Sequence, residues 1–521
     1  MDMIAAPLVE IAQGRLRGAC IDGIERFLGI PFAAPPLGER RFAPPGPPPS
    51  RPGLREATAF GAEAPTPPGE ATTILGPSGQ RQSEDCLSLN VWRPAERASE
   101  ALPVMVFIHG GGWIWGSGGH PCYDAGALSR RGNLIVVTIQ YRLGVLGLLS
   151  DAALAEGDGD GAPADGNWAF RDQIAALRWV HENIAAFGGD PANVTIFGES
   201  AGGMAVGLHC VCPASRPYFR RAVIQSAGVL PVSRAQHHDA ALSVAETLGG
   251  PLTPRTLRDA PLENLLAAQD SWARIAGAGR PAPRPMLDGG LIADWPHKLA
   301  AAGASHGIDI LVSTTGEEAA LFAGRAPAGS LPTDHEDLKR GLERGGLPGE
   351  LADLYSEARK ARGEADDPLS LWIALQTDRL IRAPALAFLE AHAARGGRGW
   401  VARIDWPSPL PLPGGDGRAY GALHTIELPL LFGSYRAAPA LDALVGPDEG
   451  AERVATALQD AWIAFARTGD PGRDGANGWS AVTPTARPTR LFGRDDQVVV
   501  DPRGEECRAM TAALRESGEL A

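Results

Sequence analysis

The sequence predicts an α/β protein: a mostly parallel central sheet flanked by helices. Three observations point there. Apolar runs of strand length recur along the chain, segments with helical periodicity separate them, and glycine-rich turns stand where a strand would hand over to a helix. In chain order, residues 31–68 are proline-rich and read as irregular loop. VMVFIHGGG (104–112) is a buried strand opening into a glycine loop, and LIVVTIQYR (134–142) is a second strand. The acidic, glycine-rich stretch 155–166 reads as a loop. DQIAALRWVHENIAAF (172–187) spaces Ile174, Leu177, Val180, Ile184 and Phe187 by three and four residues, an amphipathic helix. VTIF (194–197) is a strand followed by a tight turn into a small-residue helix. AVIQSAG (222–228) and DILVS (309–313) are further strands. Helix-rich excursions occupy about 235–290 and 330–400, and an amphipathic helix near Glu452–Arg467 can pack on its own core or on a partner.

A length of 521 residues would suggest three or four domains at roughly 150 residues each. Yet no internal repeat and no low-complexity linker divides the chain, so one domain over 1–521 with helical insertions is expected. Hydrophobic and charged fractions of 44% and 21% are ordinary globular values and exclude a disordered or fibrous chain. A net charge of −13 with pI ≈ 5.4 argues against a nucleic-acid partner. The first residues carry no basic patch before an apolar run, and no stretch is long and apolar enough to span a bilayer. Six cysteines in this length do not make a disulfide scaffold. A cytoplasmic protein is expected.

The chemistry centres on Gly198-Glu199-Ser200-Ala201-Gly202. GxSxG alone is a weak pattern, as likely a glycine turn with an incidental serine. Its strand–turn–helix setting is what a nucleophile elbow requires. A serine hydroxyl is a poor nucleophile by itself and needs a base, a carboxylate to orient the base, and backbone donors for the oxyanion. His109-Gly110-Gly111-Gly112, after a strand and upstream of the elbow, is the loop type that supplies such donors. His109 itself reads as structural. His209-Cys210-Val211-Cys212, with no second matching pair, reads as core packing and not as a metal cluster. There is no HExxH, no P-loop and no dinucleotide fingerprint, so no cofactor and no metal are implied.

With these residues in view, the chain resembles the type-B carboxylesterases of the α/β-hydrolase fold, the family of bacterial p-nitrobenzyl esterases, mammalian carboxylesterases and cholinesterases. FGGDPANVTIFGESAGG (187–203) and EDCLSLNVWRP (84–94) match its two signatures. RFLGIPFAAPPLGERRF (26–42), GNWAFRDQ (166–173), TDRLIRAP (377–384) and WIAFARTGDP (462–471) resemble family segments in order, covering about residues 8–495.

The resemblance implies roles for particular residues. Ser200 is the nucleophile. His424, in GALHTIELPLLFG (421–433), is the general base. Glu318, in TTGEEAALF (314–322), is the acid of the triad, although a slip of one residue would promote Glu317. Gly111, Gly112 and Ala201 donate the oxyanion N–H groups. Glu199 and Ser226 would orient the acid–base network, with a buried hydroxyl satisfying backbone groups as the plainer reading of Ser226. The helical insertions would cap the active site. Trp113, Trp115 and Trp168 line an aromatic pocket or pack in the core. Thr425 after the base, and Ala169-Phe170 in the GNWAFRDQ segment, depart from the family pattern by added bulk. Cys86 falls where secreted relatives form a disulfide, but Cys20 is an unsuitable partner and a free buried thiol is expected.

The function implied is hydrolysis of carboxylic esters, of small to medium acyl or aryl type, through an acyl-enzyme on Ser200. Carbamate or aryl-amide hydrolysis by the same residues is the alternative. An acyltransferase, and a non-catalytic binding homologue that would lack the nucleophile, are further options. A small-molecule ester is the expected partner.

Overall fold

Seven consecutive buried residues, Leu102–Ile108, form the strand foreseen in the apolar run before the glycines. They belong to a computed structural model that describes residues 6–67, 74–96, 100–154, 166–275, 284–414, 417–472 and 478–520, with no side-chain description for 270–275. The stretch 155–165, read as loop, lies outside the described residues, as do 276–283 of the first helical excursion. The chain divides into two compact units, one of Met1–Arg221 with Pro231–Asp294 and one of Ala222–Leu230 with Trp295–Ala521.

In the first unit, strands lie side by side in the order Gly189–Glu199, Leu102–Ile108, Ile135–Ile139, Ser88–Pro94, Ile24–Pro31 and Ala19–Ile21. The first three are mutually parallel and the rest antiparallel. Leu102–Ile108 and Ile135–Ile139 are buried along their length, and Gly189–Glu199 is buried from Val194 onward, hence their near-continuous Val, Ile and Phe content. Helix Trp168–Asn183 starts four residues before the predicted 172, because Trp168, Ala169 and Phe170 are themselves buried and extend the apolar face. The strand over 194–197 runs longer, Gly189–Glu199. A register irregularity between Leu102 and Val104 absorbs Pro191, which lacks the N–H a regular ladder needs. The described part of the proline-rich stretch, 32–67, is irregular apart from a single turn at Gly38–Arg40, a strand, Leu54–Glu56, that pairs with Gly14–Arg17, and an isolated bridge from Glu63 to Gln82.

Register decides what leaves the sheet edge. Ile108 lies opposite both Ile139 and Gly198. Two residues beyond, Gly110 and Ser200 therefore emerge together at the carboxyl ends of parallel strands, where α/β proteins place their chemistry.

The second unit has its own ladder: Asp309–Thr315 parallel to Gly399–Ile404, which is parallel to Pro488–Phe492, with Gln497–Val500 antiparallel at the edge. The strand ending at Gln225 flanks Asp309–Thr315, and Ser226 N–H donates to the Ser313 carbonyl at 2.7 Å. The helix Glu449–Thr468 is capped by Asp448, whose carboxylate accepts from Gly450 and Ala451 N–H. Its apolar stripe packs on helix Glu427–Phe432 and strand Pro488–Phe492 within this unit. Helix Pro368–Thr377 continues through a π-turn, Asp378–Arg382, into Ala383–Ala393. The wider turn fits there because Pro384 has no N–H to complete the regular ladder.

All six cysteines are free, and Cys86 is buried. Burial pushes its thiol far above the usual range. Thiol titration of the denatured, unreduced protein is expected to count six groups.

In the first unit Arg142 and Asp172 form a fully buried pair. Nε and a terminal amino group reach the two carboxylate oxygens at 2.8 and 2.7 Å, and the Arg142 backbone N–H adds a third bond at 3.1 Å. Removing one partner leaves a buried charge uncompensated. Asp172→Ala is expected to lower stability by about 3–5 kcal/mol, read as a fall in the urea midpoint at constant slope.

Candidate active site

In the first unit a strained backbone carries the nucleophile candidate. Ser200 has φ 57° and ψ −121°, between the end of strand Gly189–Glu199 and the start of helix Ala201–Val211. A serine in this sparsely populated region costs of order 1–3 kcal/mol, and the surroundings hold it there. A Cβ at Gly198 would meet the Gly202 and Ile108 carbonyls at 2.6 Å, and one at Gly202 would collide with the Ile108 carbonyl. Strand and helix can meet this tightly only through glycine. Ser200 is half-buried, and the helix N-terminus places a positive partial charge beside it.

The glycine loop abuts this turn. A Cβ at Gly110 would lie 2.6 Å from a Glu199 carboxylate oxygen and 3.1 Å from Ser200 Cβ. Gly111 and Gly112 have φ of 104° and 61°. The Gly111 carbonyl accepts from Ile114 and Trp115 N–H, and Trp115 fills the place a Gly111 side chain would take. Below the loop His109 is buried, stacked on Tyr141 at 4.3 Å, with Nδ1 2.9 Å from the Gly110 carbonyl. Burial lowers its pKa to about 4, so it stays neutral and serves as packing. The Tyr141 hydroxyl donates to the His109 carbonyl at 2.6 Å. Glu199 is 2% exposed. Of the three tryptophans, Trp113 and Trp168 are in the core. Trp113 packs edge-on against Tyr141, and the Trp168 indole N–H donates to the Leu149 carbonyl at 3.0 Å. Trp115 keeps some exposure. His209 is buried too, stacked on Phe170 with Nε2 3.1 Å from Gln173.

The second unit brings Glu318 and His424 together. His424 Nδ1 lies 2.6 Å from Glu318 Oε2, and Glu318 Oε1 accepts Thr315 N–H at 2.7 Å. Glu318 is fully buried. Burial alone would raise its pKa, but the His424 hydrogen bond and charge, Thr315 N–H and the Ser226 hydroxyl together hold it below the usual value. Phe322 packs against the imidazole at 5.6 Å. Thr425 has φ 77°, unusual for a β-branched residue. Glu317 does not face the ring; its carboxylate accepts Ala422 N–H at 3.1 Å.

Sequence reasoning missed a second buried acid. Glu427 is fully buried three residues after His424. It accepts from Gln225 Nε2 at 3.4 Å, and the Ser226 hydroxyl stands 3.5 Å away. Trp462 holds Gln225 through its indole N–H at 3.2 Å. Burial and then the nearby Glu318 charge raise the Glu427 pKa to about 7. The only signal was an acid inside an otherwise apolar run. Arg382, inside a segment noted only for its resemblance, donates to the Thr315 and Gly316 carbonyls at 2.9 and 3.2 Å. The Thr377 hydroxyl accepts Ala319 N–H at 3.1 Å. Among the described residues no group of three or more His, Cys, Asp or Glu could hold a metal.

Over residues 5–510 the chain matches the family model described as the carboxylesterase family. It is 34% identical to the para-nitrobenzyl esterase of Bacillus subtilis (strain 168) over 96% of this chain and 97% of that protein. It is 33% identical to phenmedipham hydrolase of Pseudarthrobacter oxydans over 92% of this chain and 93% of the other. Among solved structures, a carboxylesterase of Geobacillus stearothermophilus aligns with a TM-score of 0.83 at 35% identity, covering 96% of this chain and 99% of that one.

Glu427 generates a pH prediction. Its folded pKa is raised, so the folded state binds more protons than the unfolded one between the ordinary glutamate value and about 7, and stability falls as pH rises through that window. Glu427→Gln is expected to gain about 1–3 kcal/mol relative to wild type on going from pH 5 to pH 8. Urea midpoints at the two pH values check it.

Proposed function

The chain belongs to the carboxylesterase family, ester hydrolases of the α/β-hydrolase fold, and from that premise we propose a serine esterase acting through a Ser200–His424–Glu318 triad. The strained Ser200 turn is the observation that carries this reading. It is a conformation that costs stability and presents a half-buried hydroxyl at the carboxyl edge of parallel strands.

In the proposed reaction His424 takes the Ser200 proton as Oγ attacks the ester carbonyl. Backbone N–H groups of Gly111, Gly112 and Ala201 hold the oxyanion; losing one such donor costs roughly 100- to 1,000-fold. Glu318, kept ionised, fixes the imidazole tautomer and stabilises the imidazolium. His424 then protonates the leaving alcohol, and water attacks the acyl-enzyme by the same route. Glu199 and Ser226 orient this network. Ser226 is suited to it because its hydroxyl stands within hydrogen-bond reach of both Glu318 and Glu427.

We place small to medium acyl and aryl esters as substrates. Trp115, next to Gly111 and partly exposed, is the tryptophan suited to touch them, whereas Trp113 and Trp168 support packing. Among the described residues no helix is long and apolar enough to cross a membrane, and six unpaired thiols suit a cytoplasmic setting.

The test is hydrolysis of a chain-length series of p-nitrophenyl esters. Wild type is expected to show a burst, and Ser200→Ala to lose at least about a thousandfold in kcat. A variant that keeps its rate would dismiss Ser200 as nucleophile. Because Glu318 is held below the ordinary carboxylate range, the acid limb of kcat/KM should belong to a histidine and fall toward low pH. A rate constant from pH 5 to pH 9 would contradict the base.

A further inference from the structure

We propose that Glu317 is a positioning residue, whose carboxylate fixes the backbone of the loop that carries His424; the proposal rests on His424 as the base. Two consecutive glutamates then serve one histidine by different routes. Glu318 holds the ring, and Glu317 holds the chain two residues before it.

The geometry is reciprocal. Glu317 N–H donates to the Ala422 carbonyl at 2.9 Å, and Ala422 N–H donates back to Glu317 Oε2 at 3.1 Å. Glu317 and Leu423 form an isolated parallel bridge, and Leu423 immediately precedes His424. Gly421 has φ 68°, and the place its Cβ would occupy is taken by the same Glu317 oxygen. The glycine is thus required by its backbone angle and by the carboxylate packed on it.

The gripping residue is itself anchored. Arg382 holds the Thr315 and Gly316 carbonyls, Arg503 reaches the Gly316 carbonyl at 3.2 Å, and Gly316 N–H donates to the Ile404 carbonyl at 2.9 Å. Thr377 takes the Ala319 N–H on the far side. A loop tied to a strand, a helix and two guanidiniums is a rigid base from which Glu317 can set the position of Ala422. At 2.6 Å the His424–Glu318 contact is short, so a small displacement of the loop lengthens it at once.

Glu317→Ala, Glu317→Gln, Gly421→Ala and Glu318→Gln separate this role from the alternatives, with kcat taken per active site from the burst amplitude. Misplacement on the scale of 1 Å can cost about a hundredfold. Glu317→Ala is therefore expected to lose about ten- to a hundredfold in kcat with KM nearly unchanged. Glu317→Gln, whose amide oxygen still accepts from Ala422, recovers most of that loss. Gly421→Ala keeps every charge but displaces the carboxylate, and should match Glu317→Ala. Glu318→Gln should lose more than any of them. The His424 titration, followed by NMR of ring-labelled histidine and assigned with His424→Ala, should shift in Glu317→Ala and Gly421→Ala and return toward wild type in Glu317→Gln.

Wild-type kcat and an unmoved His424 titration in Glu317→Ala would overturn the proposal. So would a Glu317→Gln as poor as Glu317→Ala beside an unaffected Gly421→Ala, since charge alone would then be acting. If wild type cleaves no ester, the esterase reading falls by itself. Glu317 is then judged on the His424 titration, where a shift in Glu317→Ala supports positioning and none refutes it.

Discussion

The constraint on which much of the first unit depends is the backbone of Ser200. An L-residue at φ 57° and ψ −121° relaxes unless its neighbours leave it no room. Here the neighbours are carbonyls. Those of Ile108 and Gly202 close on Gly198, and those of Ile108 and His109 on Gly202, so tightly that neither position can carry a side chain. The parallel register that sets Ile108 opposite Gly198 also delivers the His109–Gly112 loop against the serine. One ladder thus fixes the strained turn and the glycine loop together, and strain at Ser200 is offset by burial of the strands that impose it.

In the second unit the governing interaction is electrostatic. Two glutamates, Glu318 and Glu427, are buried near one histidine. Low dielectric makes two adjacent carboxylates costly, so their environments push their pKa values apart. Glu318 has the imidazole, a backbone N–H and the Ser226 hydroxyl and stays charged. For Glu427 burial and the Glu318 charge outweigh the His424 charge, its own backbone N–H and the Gln225 amide, and its pKa rises to about 7. Neutral at mildly acid pH, Glu427 leaves the negative charge beside His424 on Glu318 alone.

Segments that resemble family blocks acquire physical roles in this arrangement. Thr377, at the end of a helix, and Arg382, in the π-turn that follows it, both from TDRLIRAP, clamp the acid loop. Trp462 of WIAFARTGDP orients Gln225 and through it Glu427. Asp172 of GNWAFRDQ neutralises Arg142 in the core.

What the sequence determined by itself was local. Continuous apolar runs sufficed for Leu102–Ile108 and Ile135–Ile139, since a strand buried on both faces has no other pattern. GESAG between a strand and a small-residue helix marked Ser200, because the turn demands glycines at fixed offsets. The longer reach of strand Gly189–Glu199 was hidden by Pro191, which disguises a strand end as a loop. Trp113 and Trp168 looked equally suited to a pocket or a core, and only burial separated them from Trp115. The resemblance favoured Glu318 over Glu317, but the residues alone carried no signal for what each carboxylate touches. Adjacent identical side chains differ only in what the fold sets before them: an imidazole at 2.6 Å for one and a backbone N–H for the other. Glu427 left only the trace of an acid in an apolar run, since the pKa of a carboxyl is set by burial and neighbouring charge, and both are properties of the packed structure.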